Sequence, residues 1–234
     1  FSRCDSDGPL GGTGTTVLGN SAVLTTVGTY TGITYINSGT VVLAAGIVGL
    51  GASNTALTQN GGTFDLNGNN VVIGAFNGGP AAVIDNNPTV STAASLTIGA
   101  GNGTGTFNGT IKDTKGALTI IKSGTGAITL GDAVAGGSNL FTGDLRFTGA
   151  STLTLNSLAD TAGAKVDFSV TGATLKFAGR SNLTLNSRVF DISAAGGSAT
   201  IDSSSTVLPG GALQALDSKI VLDDSALFRH ADLE

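Results

Sequence analysis

Val, Leu and Ile alternate with Thr and Ser in short bursts along this chain, recurring about every ten residues and separated by Gly, Asn, Asp and Ser. The early bursts are TTVLG at 15–19, TYINSGTVVLA at 34–44, GTFDLNG at 62–68 and SLTIGAG at 95–101. ALTIIKSG at 117–124, AITLGD at 127–132 and STLTLNS at 151–157 follow, then ATLKFAG at 173–179, NLTLNS at 182–187 and SATIDSS at 198–204. A period of two punctuated by turn residues is the β signature. The weak helical pattern GALQALD at 211–217 is under two turns long, so almost no helix is expected.

Short, evenly spaced strands suit a sandwich, a barrel or a solenoid, and internal repetition decides between them. GTGTTVLG at 12–19 matches GTGAITLG at 124–131, YTGITYI at 30–36 matches FTGDLRF at 141–147, and GTVVL at 39–43 matches STLTL at 151–155. The same order of elements thus occurs in units 12–43 and 124–155. A single strand–corner–strand unit cannot bury its apolar side, whereas stacked coils bury it and pair each backbone with the coils above and below. Leu43, Leu66, Ile98, Leu130 and Leu155 are the expected inward side chains. Alternation then turns Val42, Asp65, Thr97, Thr129 and Thr154 outward. Gly and Asn at the corners tolerate positive φ.

KSGTGAITLGD at 122–132, with FTG at 141–143 and STLTLNS at 151–157, resembles the autotransporter-associated β-strand repeat: Lys, a Gly-x-Gly pair, a Leu-rich strand, an aromatic-Thr-Gly corner and a closing Gly-Thr-Leu strand. The copy at 12–43 lacks the leading Lys but keeps Gly12, Gly14, Leu18, Tyr30, Thr31, Gly32, Gly39 and Leu43. GGTFDLNGNNVVIGAF at 61–76 and RVFDISAAGGSATIDSSS at 188–205 look like the linking strands of such passenger domains. The resemblance implies an all-β fold, a right-handed single-stranded parallel β-helix (β-solenoid) over 12–234, preceded by an irregular segment at 1–11. It also implies export to the surface of a Gram-negative bacterium through a translocator barrel, which this stretch of sequence does not contain.

Composition supports a folded, thin rod. The chain has 37 Gly and 12% charged residues, against about 7% Gly and about 25% charged in ordinary domains, yet 40% of it is hydrophobic, too much for disorder. Few aromatics and many small branched side chains suit a narrow core. A net charge of −5 offers no basic stripe, so nucleic acid is not expected as a partner. No apolar run reaches the roughly 18 to 20 residues of a membrane span. The single Cys4, in the Asp-flanked segment at 1–9, has no internal disulfide partner and reads as a surface thiol, an intermolecular crosslink or part of a segment foreign to the repeat fold.

β-Solenoids include polysaccharide-cleaving enzymes, so catalysis has to be judged on residues. A glycosidase needs two carboxylates about 5 to 10 Å apart. Asp65, Asp85, Asp113, Asp132, Asp144, Asp160, Asp167, Asp191 and Asp202 stand singly, mostly beside turns where Asp caps its own backbone. Asp223 and Asp224 are adjacent and face opposite sides of a strand. A lyase needs a base and usually a calcium-holding carboxylate cluster. Lys112, Lys115 and Lys122 surround a Gly turn without acidic clustering and read as solvated charges.

DLNGNN at 65–70 starts like a calcium loop but lacks the later Glu. His230 sits four residues before the last residue given, and one His with one Cys does not make a zinc site. The Gly runs at 99–105 and 123–131 open no helix with Lys-Ser/Thr, so phosphate binding is not indicated. Asn102, Asn108 and Asn182 fall in Asn-x-Ser/Thr sequons that chance supplies in so Asn- and Thr-rich a chain. No catalytic, cofactor-binding or metal residue is assigned. The expectation is a non-enzymatic, extracellular structural or adhesive module. Its partners would be a host or neighbouring-cell receptor or glycan, or further copies joined end to end or laterally. The alternatives are a self-assembling filament subunit stacked end to end and a carbohydrate-active enzyme on the same fold.

Overall fold

In a computed structural model the chain winds into a β-solenoid of about seven turns, with essentially no helix. The structure describes residues 2–3, 12–52, 55–131, 138–177, 187–192, 198–202 and 219–223. Three sheets run along the rod. Sheet A extends through the described length: Ser2–Arg3, Thr16–Leu18, Thr34–Ile36, Leu57–Gln59, Phe76–Gly78, Gly105–Phe107, Ile128–Leu130, Thr152–Leu155, Ala173–Phe177 and Ser198–Asp202, all parallel, closed by Lys219–Asp223. That last strand pairs antiparallel, Ser198 against Asp223 and Asp202 against Lys219. Sheet B contains Ala22–Leu24, Thr40–Leu43, Gly62–Asp65, Ala82–Asp85, Thr110–Ile111 and Ser138–Asn139; sheet C contains Asn70–Val72, Ala94–Ile98, Leu118–Lys122, Leu145–Phe147, Lys165–Phe168 and Val189–Ile192. The middle coils therefore have three faces, visited in the order A, B, C.

Nine of the ten bursts coincide with strands, and NLTLNS at 182–187 lies almost wholly outside the described residues, as do GALQALD, Cys4, Asp132, Asn182, Asp224 and His230. The only helical turn among the described residues is a short 3-10 turn at Ala100–Asn102. All five expected inward residues, Leu43, Leu66, Ile98, Leu130 and Leu155, are fully buried. Val42, Thr97, Thr129 and Thr154 turn outward and are partly exposed. Asp65 departs from this pattern. It closes a strand at the corner between sheets B and C, where the next coil covers it, and it is buried.

The core is a set of ladders. On sheet C, Val71, Leu96, Ile120, Leu145, Val166 and Phe190 stack in register. Phe147 and Phe168 are paired strand residues with rings stacked 4.9 Å apart. On sheet A, Gly78 lies directly opposite Phe107 and, in the same register, Gly105 opposite Phe76, and the two rings stack at 4.5 Å and 9°. A Cβ on Gly78 would enter the Phe107 ring. The side chain absent at Gly78 makes the space that the Phe107 ring fills, and the one absent at Gly105 lets the backbone of Phe76 approach closely. The turn from sheet A to sheet B is tight, and Gly39 (φ 74°) and Gly62 (φ 74°) occupy it one above the other, where a Cβ on either would meet the backbone of the coil below.

The two similar sequence units begin on the same face, with Leu18 and Leu130 both on sheet A, and then part. Thr34–Ile36 lies on sheet A and its counterpart Leu145–Phe147 on sheet C; Thr40–Leu43 lies on sheet B and its counterpart Thr152–Leu155 on sheet A. The first unit has no sheet C strand between its sheet B and sheet A strands, because sheet C begins at Asn70–Val72.

Candidate functional site: the charged residues of the coil corners

Titratable side chains gather at the turns into and out of sheet C, and the solenoid brings some together that the sequence holds far apart. Asp65 and Asp85 are direct register partners on neighbouring strands, about 4.8 Å apart along the backbone. Lys112 occupies the same position one coil further on, and its Nζ lies 3.2 Å from Asp85 Oδ2. The single-carboxylate reading of these two Asp residues is thereby corrected, since they form a stacked pair with a cation, and it fails likewise for Asp167 and Asp191, which are register partners on sheet C beside Lys165.

Both carboxylates are engaged. Asp65 Oδ1 accepts the Asn67 amide at 2.9 Å and the Asn87 amide of the next coil at 3.0 Å. Asp85 accepts the Thr114 amide (2.9 Å) and hydroxyl (2.7 Å). The arrangement repeats along the rod. Asp113 Oδ2 takes the Thr142 amide and hydroxyl as well as the Leu118 amide, Asp144 Oδ1 takes the Lys165 amide, and Asp160 Oδ1 takes the Ser187 amide. Each bonds to a backbone amide 21 to 29 residues ahead, one coil away. Asp capping its own turn is therefore the lesser part of what these residues do. They fasten each coil to the next through charge-assisted bonds.

Asp144 also receives Arg146 at 2.8 Å, and Lys165 reaches Asp191 at 2.7 Å. Partial burial of Asp144 favours its neutral form, but the Lys165 amide and Arg146 outweigh that and hold its carboxyl below the usual range. Lys165 is raised by its bond to Asp191. Among the described residues no group of three or more His, Cys, Asp or Glu could hold a metal ion. Asn67 and Gly68 of DLNGNN both adopt positive φ, and the segment turns the chain from sheet B to sheet C.

Two cations lie inside the rod. Lys122 closes a sheet C strand with the inward alternation of Leu118 and Ile120, and is fully buried between Ile98 and Phe147. Its Nζ donates to Ser123 O at 2.6 Å, and burial lowers its pKa from 10.5 to about 8. The solvated reading fits Lys115, which is exposed, and fails for Lys122. Alternation was the available signal, and the general preference of Lys for water opposed it. Arg188, which no sequence pattern singled out, is 2% exposed and donates to three carbonyls: Ala159 O (2.6 Å), Gly143 O (2.9 Å) and Phe141 O (3.1 Å). It also lies over the Phe141 ring at 5.6 Å. The strand register puts Ala164 and then Gly143 beneath it. Those small residues leave room for the guanidinium to reach two coils down. Burial lowers its pKa, against the pull of Asp144, Asp160 and Asp113.

Fold and corners together define a β-solenoid in which charged side chains bind coil to coil. No protein-family model matches the chain, and no solved structure matches it. Short stretches are similar to the β subunit of ADP-forming succinate–CoA ligase. The match is 78% identical over 27 residues in Herpetosiphon aurantiacus and 88% identical over 24 residues in Roseiflexus sp., or 12% and 10% of this chain. The chain spans only 7% and 6% of the length of those two proteins.

Proposed function

We propose that this chain is a non-enzymatic structural and adhesive rod displayed outside a bacterial cell, as in autotransporter passenger domains. One observation carries the reading. Five carboxylates that a hydrolase or lyase could have used, those of Asp65, Asp85, Asp113, Asp144 and Asp160, are occupied by backbone amides of the neighbouring coil. A catalytic carboxylate must be free to meet substrate, and the stacked pair Asp65 and Asp85 is covered and bonded. The rod then acts by reach, stiffness and lateral contact with a receptor or glycan. The antiparallel strand Lys219–Asp223 occupies the growing edge of sheet A, which favours separate or laterally associated rods over coil-on-coil filaments at that end.

The test has two arms. Fused to an outer-membrane translocator and expressed in a Gram-negative host, the chain should be labelled by a membrane-impermeant reagent on intact cells and should promote cell or surface adhesion. The purified chain should leave a panel of polysaccharides and esters uncut. Cleavage that disappears in Asp85→Asn or Asp113→Asn would establish an enzyme and overturn the proposal. So would a displayed chain that adheres no better than the translocator alone.

A further inference from the structure

The outward side of sheet C is a ladder of two-residue rungs, because the inward residue of each strand, from Val71 to Phe190, is flanked by two outward ones. The first three rungs are uncharged: Asn70, Ser95 and Thr119 form one column, and Val72, Thr97 and Ile121 the other. Val72 is exposed, and so is Val48 beside it, whose carbonyl accepts the Val72 amide. The next two rungs are charged and alternate in sign both along and across the strands: Asp144 with Arg146, then Lys165 with Asp167. Val189 and Asp191 follow.

That checkerboard is complementary to itself. Two copies placed face to face about a two-fold axis parallel to the rods bring each residue opposite the other column of the same rung. Asp144 then meets Arg146 of the second copy, Lys165 meets Asp167 and Thr119 meets Ile121, each contact occurring twice. No rung opposes like charges. A two-fold axis across the rods would also match the four charges, Asp144 with Lys165 and Arg146 with Asp167, but it sets apolar Ile121 against Asp191. The other faces lack the property. On sheet B the same operation puts Val83 against Asp85 and Thr110 against Lys112, and on sheet A it puts Thr174 against Lys176, so covered charges would have no partner. Charge order of this kind fixes register and direction more than affinity. Six rungs about 4.8 Å apart and about 12 Å wide cover roughly 350 Å² of each rod, against about 800 Å² per partner in a stable complex. Free rods therefore pair weakly, and rods anchored side by side pair well because anchoring raises their effective concentration.

We propose that two copies of this chain pair in parallel through the outward faces of sheet C, with the Asp144–Arg146 and Lys165–Asp167 rungs setting the register. The inference gives a face and a direction to the lateral contacts of the rod reading, and it rests on that reading for its setting. The test is sedimentation equilibrium of the purified chain at high micromolar to millimolar concentration, in low and in high salt. Lys165→Glu places two acids on one rung and Asp167→Lys two bases, so each variant alone should pair about tenfold more weakly than wild type. Mixed in equal amounts, the two variants set Glu against Lys and Asp against Lys, and pairing should return to near the wild-type level. An antiparallel pair gains no such rescue, because the introduced Glu would meet Asp144 and the introduced Lys would meet Arg146. Circular dichroism reports folding of each variant. Arg146→Glu mixed with Asp144→Lys repeats the test on the neighbouring rung should either variant lose the β spectrum, and Thr129→Glu places a charge on the outward face of sheet A.

The wild-type chain should associate, less so in high salt, and Thr129→Glu should behave like it. A wild-type chain that stays monomeric up to millimolar concentration would overturn the proposal. Association that folded Lys165→Glu or Arg146→Glu leaves unchanged would do the same, as would a mixture no stronger than its components. Pairing is read on the free chain, so its failure leaves display and adhesion standing, and a failure of display leaves the pairing measurable.

Discussion

Lys122→Met tests whether an ammonium is held inside the rod. The free side chain titrates at 10.5 and the buried one at about 8. Between those values the unfolded chain holds a proton that the folded chain has given up, so the stability of the wild type rises with pH across this window. Below about pH 8 both states are charged and the folded one bears the full cost of the buried ammonium. Above about pH 10.5 both are neutral and the cost is gone. At about 1.4 kcal/mol per pH unit the rise approaches 3 kcal/mol, an upper figure because water entering the corner would shield the charge.

The methionine variant removes the titration. It also removes the charge-assisted bond to Ser123 O, a loss of about 1.5–3 kcal/mol, which is set against relief of similar size from a buried charge. The two roughly offset at pH 7, so the variant should unfold near the wild-type midpoint there. In urea titrations followed by circular dichroism at half-unit steps from pH 7 to 10.5, the wild-type midpoint should climb away from that of the variant. Comparing the two cancels other groups that titrate in the window. Midpoints that run parallel over the whole range would refute the argument, since they would mean that Lys122 keeps an ordinary pKa in the folded rod.

Three further outcomes are expected. Gly78→Ala puts a methyl into the Phe107 ring and should destabilise the rod by about 1–3 kcal/mol, read as a lower urea midpoint, while Gly46→Asn, at an open corner with positive φ, should change little. Arg188→Ala leaves the carbonyls of Ala159, Gly143 and Phe141 without their donor and should cost about 3 kcal/mol or more, with faster hydrogen exchange concentrated in residues 141–168. The Asp144 carboxyl titrates below its ordinary value when folded, so its contribution is complete above the ordinary carboxylate range and is lost as pH falls through the folded value. Asp144→Asn should therefore lower the thermal midpoint at pH 7 and narrow the gap to wild type at pH 2.

Much of the fold is legible in the sequence because the longer strands carry their own pattern. Leu118–Lys122 and Thr152–Leu155 alternate long enough to show one apolar face. Thr110–Ile111 and Ser138–Asn139 are two residues long and show no alternation at all; they are strands because neighbouring coils supply their partners. The similarity of 12–43 to 124–155 indicates coiling without giving the face on which each strand lies. That depends on corner lengths, which vary. The Asp bonds were hidden for the same reason, since each partner amide sits 21 to 29 residues away at no fixed interval. Lys122 was legible in its alternation, and Arg188 only through the stack of small residues beneath it.

The unequal coils have a mechanical meaning. Thr16 pairs with Thr34 and Gly78 with Phe107, so one turn consumes 18 residues and another 29. Each adds the same step of about 4.8 Å to the rod. Length along the axis is thus counted in turns, and residues inserted at a corner widen the cross-section there without moving the ends apart. A protein built this way can vary its circumference, and whatever its corners display, while the distance it spans stays fixed.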